Sequence, residues 1–334
     1  MKLTVRADGG TDIGYGHLMR TCSVTHALRN LVDLEVRYLV RPHTDTSILR
    51  EGSIVRETTR DDSWITEFDP DEGPLLLDTY ETTVEHLAEL RSRGIHVVMF
   101  DDGCRLDHYP VDLLIDSAPA AHKLSYHGEI GTLFALGVDY LPLRDQFHKV
   151  DRKAKPSHEG INLLLTFGGS DPEDLTTRVL RIVERMSELD RITVVLGPGY
   201  RGGVSSADAG GRIVVLRNVT HMAELMQQAN IAISTAGGTA LELAYMGIPS
   251  LLIPQTTDQK PIAEALADKG AALVTHFDPT TGESHLQNQL LMLAQETELR
   301  GEMTAAGRHL VDGRGSERIA KLLLDGWKGR LRVR

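Results

Sequence analysis

Ile231-Ala232-Ile233-Ser234-Thr235-Ala236-Gly237-Gly238-Thr239-Ala240-Leu241-Glu242 opens as a short apolar, β-branched run, turns through paired glycines and continues as a helical pattern. Strand, glycine turn and helix start form the unit from which helix-covered parallel sheets are built. Backbone N–H groups are left free at the head of such a helix, where the dipole favours anions, so Ala236, Gly237, Gly238 and Thr239 read as an anion cradle. Glu242 lies one turn inside the helix. Its carboxylate suits a pair of vicinal hydroxyls, as a ribose presents them; an acid complementing the helix dipole is the plainer alternative.

The same pattern recurs on both sides. Residues 161–167 run into Gly168-Gly169-Ser170-Asp171-Pro172; the glycines expose amides, Ser170 or Asp171 can cap the next helix, and Pro172 suits its first turn. Further short apolar runs fall at 192–196, 213–216 and 250–253, and earlier at 3–5, 34–40, 75–77, 96–100 and 113–115. Amphipathic stretches lie between them at 17–31, 82–93, 176–189 and 239–246. Continuously apolar strands alternating with helices imply parallel sheets covered on both faces, built twice. The polar segment 150–160, with Pro156 and Gly160, reads as a linker. The expected organisation is one domain over 1–150, a second over 161–315, and a last helix with a basic tail over 316–334. In open parallel sheets ligands bind beyond the carboxyl ends of the strands, so two such domains are expected to share a cleft between their loops.

The informative residues fall on those loops. After the first strand comes Arg6-Ala7-Asp8-Gly9-Gly10-Thr11-Asp12-Ile13-Gly14-Tyr15-Gly16-His17-Leu18-Met19-Arg20. Gly14 and Gly16 let a ligand approach the backbone. His17 then sits at a helix mouth, where a neutral imidazole is favoured and can take a proton near pH 7. Arg20 is one turn on, placed to hold a phosphate or orient a carboxylate. The alternative is a glycine turn with a capping His. Asp258 and Gln259, in the loop after 250–253, can bind sugar hydroxyls or be ordinary solvated polarity.

Composition narrows the classes. The 334 residues carry 36 Lys plus Arg against 47 Asp plus Glu, a net charge of −11, which opposes general nucleic-acid binding. With 41% hydrophobic and 25% charged residues the chain is globular rather than disordered. No apolar stretch reaches the ~18 residues of a membrane span, and the start is too short for a signal peptide, so a cytosolic location is the default. Cys22 and Cys104 alone exclude a disulfide framework. No P-loop motif occurs, and Gly14 to Met19 lacks the third glycine of the dinucleotide fingerprint. No metal-ligand spacing stands out, so no metal or cofactor is expected. Asp101-Asp102 follows a strand; neighbouring side chains there point apart, which favours structural capping over a metal pair.

Taken together, Arg6-Ala7-Asp8 with Ile13-Gly14-Tyr15-Gly16-His17 and Arg20, Leu77-Asp78-Thr79-Tyr80, Phe100-Asp101-Asp102, Gly168 to Pro172, and Ala236-Gly237-Gly238-Thr239 with Glu242 resemble the UDP-2,4-diacetamido-2,4,6-trideoxy-β-L-altropyranose hydrolases of pseudaminic acid biosynthesis. That family is similar to the lipid II-forming N-acetylglucosamine transferase. The resemblance implies a GT-B fold, two Rossmann-like domains around a cleft, and a monomer taking a small-molecule UDP-sugar with no nucleic-acid partner and no membrane insertion. It further implies a metal-independent hydrolase. His17 would activate water against the anomeric carbon, and Gly14, Gly16, Arg20, Tyr80, Asp258 and Gln259 would surround the sugar. Gly168, Gly169, Ser170, Ala236, Gly237, Gly238, Thr239 and Glu242 would hold the nucleotide. Asp258 stands where that family commonly has Asn. The alternative is a GT-B glycosyltransferase using a UDP-sugar donor; the mixed charges of residues 41–68 offer it no strong membrane-docking patch.

Overall fold

The computed structural model describes residues 1–10, 14–49, 52–58, 63–153, 160–169, 171–204, 211–276 and 282–333. The chain divides into two compact units, Met1–Arg144 with Gly313–Arg334, and Asp145–Asp312. In the first, strands β1 (Lys2–Ala7), β2 (Glu35–Val40), β3 (Ile54–Glu57), β4 (Leu75–Asp78), β5 (Val97–Phe100), β6 (Leu113–Asp116) and β7 (Leu133–Leu136) lie in the order β3-β2-β1-β4-β5-β6-β7. In the second, β8 (Asn162–Thr166), β9 (Arg191–Leu196), β10 (Ile213–Arg217), β11 (Ile231–Ser234), β12 (Ser250–Leu252) and β13 (Ala272–Val274) lie in the order β10-β9-β8-β11-β12-β13. The pairings throughout are parallel.

The helices are α1 (Gly16–Arg29), α2 (Ser63–Glu67), α3 (Val84–Ser92), α4 (Asp145–His148), α5 (Leu175–Val183), α6 (Met222–Gln227), α7 (Gly238–Met246), α8 (Gln259–Asp268), α9 (Gly282–Gln295), α10 (Thr297–Leu310) and α11 (Gly315–Val333). The first sheet is buried on both faces, and the pleat sorts its side chains. Leu76, Val98 and Phe100 enter the core shared with α1 and α11, through Leu18, Val24, Ile319 and Leu323. Leu75, Leu77, Val97 and Met99 enter the opposite core with Leu87 and Leu90 of α3. Period-two alternation between two apolar layers is what a doubly covered parallel sheet requires.

The unit boundary differs from the one expected. The chain passes to the second unit at Asp145, before the polar segment, because Phe147 of α4 is fully buried against Tyr245, with ring centroids 6.3 Å apart. Burying one such ring contributes about 1.5–3 kcal/mol. The Gln146 side chain also accepts from the Ala223 amide at 3.1 Å. The last helix is not separate either: Ile319, Ala320, Leu323 and Leu324 of α11 join the core of the first unit. Among the described residues no helix is long and apolar enough to cross a membrane.

Gly315 makes that return possible. A Cβ there would lie 2.2 Å from the Leu141 carbonyl oxygen and 2.5 Å from its nitrogen. Gly315→Ala is therefore expected to lower stability by about 1–3 kcal/mol in urea unfolding. Gly329→Ala in the same helix meets nothing within 4 Å and is expected to gain up to ~1 kcal/mol.

Candidate functional site

In each sheet the chain winds outward in both directions from one point, between β1 and β4 in the first unit and between β8 and β11 in the second. Loops leaving neighbouring strands diverge there and open a crevice beyond the strand ends, where α/β proteins bind ligands. The glycine loops singled out in the sequence follow β1, β8 and β11. Both switch points are thus lined by candidate residues, and each is described within its own unit.

In the first unit the loop after β1 is pinned by two hydrogen bonds, Gly10 N–H to the Gly14 oxygen at 3.0 Å and Gly14 N–H to the Gly10 oxygen at 2.8 Å. Gly14 has φ +80, a conformation that favours glycine. Helix α1 then begins with no side-chain cap and no acid in its first turn. His17 projects from that turn toward the end of β4. Its Nδ1 lies 2.6 Å from Oδ1 of Asp78, a side chain 1% exposed. Asp78 follows Leu76 by two, so the pleat aims it at the α1 face, where His17 waits.

Arg20 ties the cluster together. Its Nε and Nη2 donate to Oδ2 and Oδ1 of Asp78, both at 2.6 Å. Nη1 and Nη2 donate to Asp102 at 2.8 and 2.9 Å. Its guanidinium lies 4.7 Å from the centre of the Phe100 ring. Of the two sequence readings for Arg20, orientation of a carboxylate is the one observed, with two carboxylates rather than one. Tyr80 stands exposed beside His17, edge to face at 4.9 Å, and its hydroxyl donates to Asp102 at 3.0 Å. Arg105 supports it, stacking 4.8 Å from the ring centre and donating to its carbonyl oxygen at 2.9 Å.

These contacts fix the imidazole tautomer. A carboxylate only accepts, so the 2.6 Å contact makes Nδ1–H the donor to Asp78. Arg20 Nη2 is also 3.3 Å from Nδ1, but it has shorter acceptors in both carboxylates, so that approach is not a competing hydrogen bond. Nε2 is left with its lone pair outward, the geometry of a base oriented by a carboxylate. Burial by itself would raise the Asp102 carboxyl; the charge and hydrogen bonds of Arg20, with the Tyr80 hydroxyl, outweigh it and hold Asp102 below the usual carboxylate range. Burial, reinforced by Asp102, pushes the Tyr80 phenol up to about 12.

Asp101 and Asp102 do point apart, but only one of them is a structural cap. Asp101 Oδ2 accepts from the Cys104 amide at 2.8 Å and from the Tyr109 and Tyr126 hydroxyls at 3.0 Å. Asp102 points the other way, into the His17 cluster. Asp78, to which the sequence reading gave no role, and Asp102, which it read as a structural cap, are therefore the members of the cluster that it missed.

In the second unit the two glycine loops part company. Asp171 accepts from the Leu175 and Thr176 amides at 2.9 and 2.8 Å, and Asp174 from the Thr177 amide at 3.4 Å. The first turn of α5 is thus closed by two carboxylates. Asp171 caps the helix, one of the two residues the sequence offered for that role, whereas Pro172 precedes the helix instead of opening it. Gly168 and Gly169 remain as backbone, Gly168 with φ +80, while Ser170 lies outside the described residues. At α7, by contrast, no side chain caps the helix and its first turn holds no acid. Positions 237 and 238 have no atom within 4 Å of where a Cβ would stand. Ala236 is fully buried, Thr239 is the second residue of α7, and Glu242 is half-buried one turn in. Asp258 is exposed at the N-cap of α8 without a capping hydrogen bond, whereas the Gln259 side-chain oxygen accepts from the Gln255 amide at 3.0 Å.

Residues 163–321 match the glycosyltransferase family 28 C-terminal domain. The spore coat polysaccharide biosynthesis protein SpsG of Bacillus subtilis is 25% identical over 339 residues, covering 97% of this chain and 98% of its own. A UDP-N-acetylglucosamine--N-acetylmuramyl-(pentapeptide) pyrophosphoryl-undecaprenol N-acetylglucosamine transferase of Synechococcus elongatus is 31% identical over 195 residues, 54% of each chain. The chain spans 60% of an uncharacterized protein of Methanocaldococcus jannaschii that it matches at 26% identity. Among solved structures, Acinetobacter baumannii MurG superposes with a TM-score of 0.64 at 16% identity, over 97% of this chain and all of that one. Two α/β domains with parallel sheets, as in GT-B glycosyltransferases, are therefore the fold. In its second unit the chain is also family 28-like in sequence.

Proposed function

We propose that the chain transfers a glycosyl group from a UDP-sugar to a hydroxyl acceptor, with His17 as general base. The observation that carries this reading is the 2.6 Å contact that pins His17 Nδ1 to buried Asp78 and frees Nε2. Nε2 takes the proton of the nucleophile. The nucleophile's oxygen bonds to the anomeric carbon as the bond from that carbon to the diphosphate oxygen breaks, and the electron pair leaves with UDP. The uncapped N-terminus of α7 holds the diphosphate through amide dipoles, which gain strength as charge develops there. Within the second unit Glu242 takes the ribose hydroxyls and Asp258 a sugar hydroxyl; within the first, Tyr80 contacts the sugar beside His17. The choice of UDP follows the related transferase, and the choice of transfer over the hydrolysis expected from the sequence follows the glycosyltransferase character of the structural neighbours.

Hydrolysis is retained as a second reading on one specific ground. The transferase match covers about half of each chain, whereas the SpsG match runs over nearly all of both chains and is to a polysaccharide biosynthesis protein that is not named a transferase. Water on Nε2 would complete the same step. Incubation with a panel of UDP-sugars, following UDP release with and without candidate acceptors, separates the two. Release that needs an acceptor supports transfer, release in water alone supports hydrolysis, and release under neither condition rejects both.

Gly237→Asp tests the cradle. The position has room for a side chain and an extended backbone, φ −100, so an Asp there would cap α7. Stability is expected to rise by up to ~1 kcal/mol, while UDP affinity measured by calorimetry falls about 10- to 100-fold, since the new carboxylate occupies the amides and repels the diphosphate. Unchanged UDP affinity would move the nucleotide elsewhere.

A further inference from the structure

The amino end of the second sheet carries a cavity of about 320 Å³, bordered by Asn230 and Pro249, the residues just before β11 and β12. It lies at the opposite end of β11 from Gly237 and Gly238, so at roughly 3.3 Å per residue a whole strand separates it from the proposed nucleotide site. Its charged lining is one-sided: Arg152, Lys153, Arg300 and Arg308, with no acid among the lining residues. In a chain of net charge −11 such a concentration is not a sampling of the surface.

The three guanidinium groups are held in place by dipoles. Arg300 Nη1 donates to the Leu293 and Ala294 oxygens at 2.7 and 2.8 Å, near the end of α9. Arg308 Nε donates to the Met246 oxygen at 3.3 Å, and Arg152 Nη1 to the Tyr245 oxygen at 3.2 Å, at the end of α7. Arg152 also lies 4.3 Å from the centre of the Tyr245 ring. Helix C-termini fix the direction of these groups, and among the described residues none of the three forms an ion pair with a carboxylate. Asp151 is the acid that acts on Arg308, against the repulsion of Arg152. Donors in forks, partly desolvated and short of negative charge, are what a phosphoryl oxyanion needs.

We propose that this cavity is a second anion site, taking a compact phosphate- or diphosphate-class oxyanion independently of the nucleotide. Its volume, at the lower end of the range for small-molecule pockets, suits such a group with little attached. Gly301 is among the lining residues, and a Cβ there would meet nothing within 4 Å, so a larger side chain fits at the cavity's edge without displacing a neighbour.

The test titrates the full chain with sodium pyrophosphate, and separately with inorganic phosphate, in low salt and in the presence of excess UDP. Heat of binding and Tm are followed. Saturable binding that survives excess UDP and weakens with salt is expected, with Lys153→Gln lowering affinity about tenfold and Gly301→Leu abolishing it. Circular dichroism and UDP binding of Gly301→Leu report whether the fold and the nucleotide site are intact. No saturable response, or one that Gly301→Leu leaves unchanged, overturns the proposal. A lost pyrophosphate response with UDP binding retained is specific to this cavity, whereas absent UDP binding with pyrophosphate still bound rejects only the nucleotide reading.

Discussion

On the proposed function, His17→Ala is expected to lower turnover of a UDP-sugar by about 10²–10⁴-fold, the range for removal of a positioned general base, with UDP affinity changed by less than threefold. The expected split follows from where His17 sits. It belongs to the first turn of α1, with Nδ1 committed to Asp78, and its neighbours Asp78, Arg20 and Tyr80 all belong to the first unit. Asp78→Asn is the companion variant. An amide can accept from Nδ1–H but can equally donate to an unprotonated Nδ1, so the imidazole is free to present the wrong nitrogen, and a loss of similar order is expected. The two losses should not add, because both remove the same base. Turnover by His17→Ala within threefold of the unaltered protein, measured as UDP release, would take the imidazole out of the reaction.

The sequence carries this site unevenly, and the pleat explains how. His17 and Arg20 are legible because a glycine loop followed by a helical pattern marks a helix mouth. Asp78 and Asp102 are harder to see, since each looks like a polar residue ending an apolar run. Parity resolves both. Leu76 and Phe100 enter the α1-side core, so residues two further along aim at α1, while Asp101, in step with Met99, aims at the other face and caps its own loop.

Edges account for what the sequence hides in the fold. Strands β3, β7 and β13, which the sequence reading leaves out, all lie at sheet margins. Side chains in β3 are exposed throughout and those in β7 largely so. β3, with one neighbour, needs no continuous apolar run and leaves no periodic signal. By contrast β7 and β13 are apolar throughout, Leu133 to Leu136 and Ala272 to Val274, and are short runs that sequence alone does not separate from apolar loop residues. The loop after β8 shows a different limit. Gly168-Gly169 followed by an acid looks the same in sequence whether the acid fills the helix mouth or leaves it open for a ligand, and only the hydrogen bonds of Asp171 decide.

Arg20→Met is expected to cost about 3–5 kcal/mol, the range for stranding buried charge by removing its partner. The reason is local: Asp78 is 1% exposed and loses both of its guanidinium hydrogen bonds, while Asp102 loses two more. Against a typical total of 5–15 kcal/mol this is a large share, and urea unfolding at neutral pH measures it. Acid gives the prediction its sign. In the unaltered protein Asp102 is held below its ordinary value, so its contribution is full above the unfolded carboxylate pKa of about 3.9 and is lost as pH falls through the folded value. In the variant burial acts on Asp102 without Arg20 to outweigh it, so that carboxyl gains a proton more readily and the deficit shrinks as pH falls toward 4. The gap between the two proteins should therefore narrow on acidification. Arg20→Met with Asp102→Asn should recover part of the loss at neutral pH, since only one carboxylate then lacks a cation. A deficit that stays constant from pH 7 to pH 4.5 would mean that the cluster is held by packing against Phe100 rather than by charge.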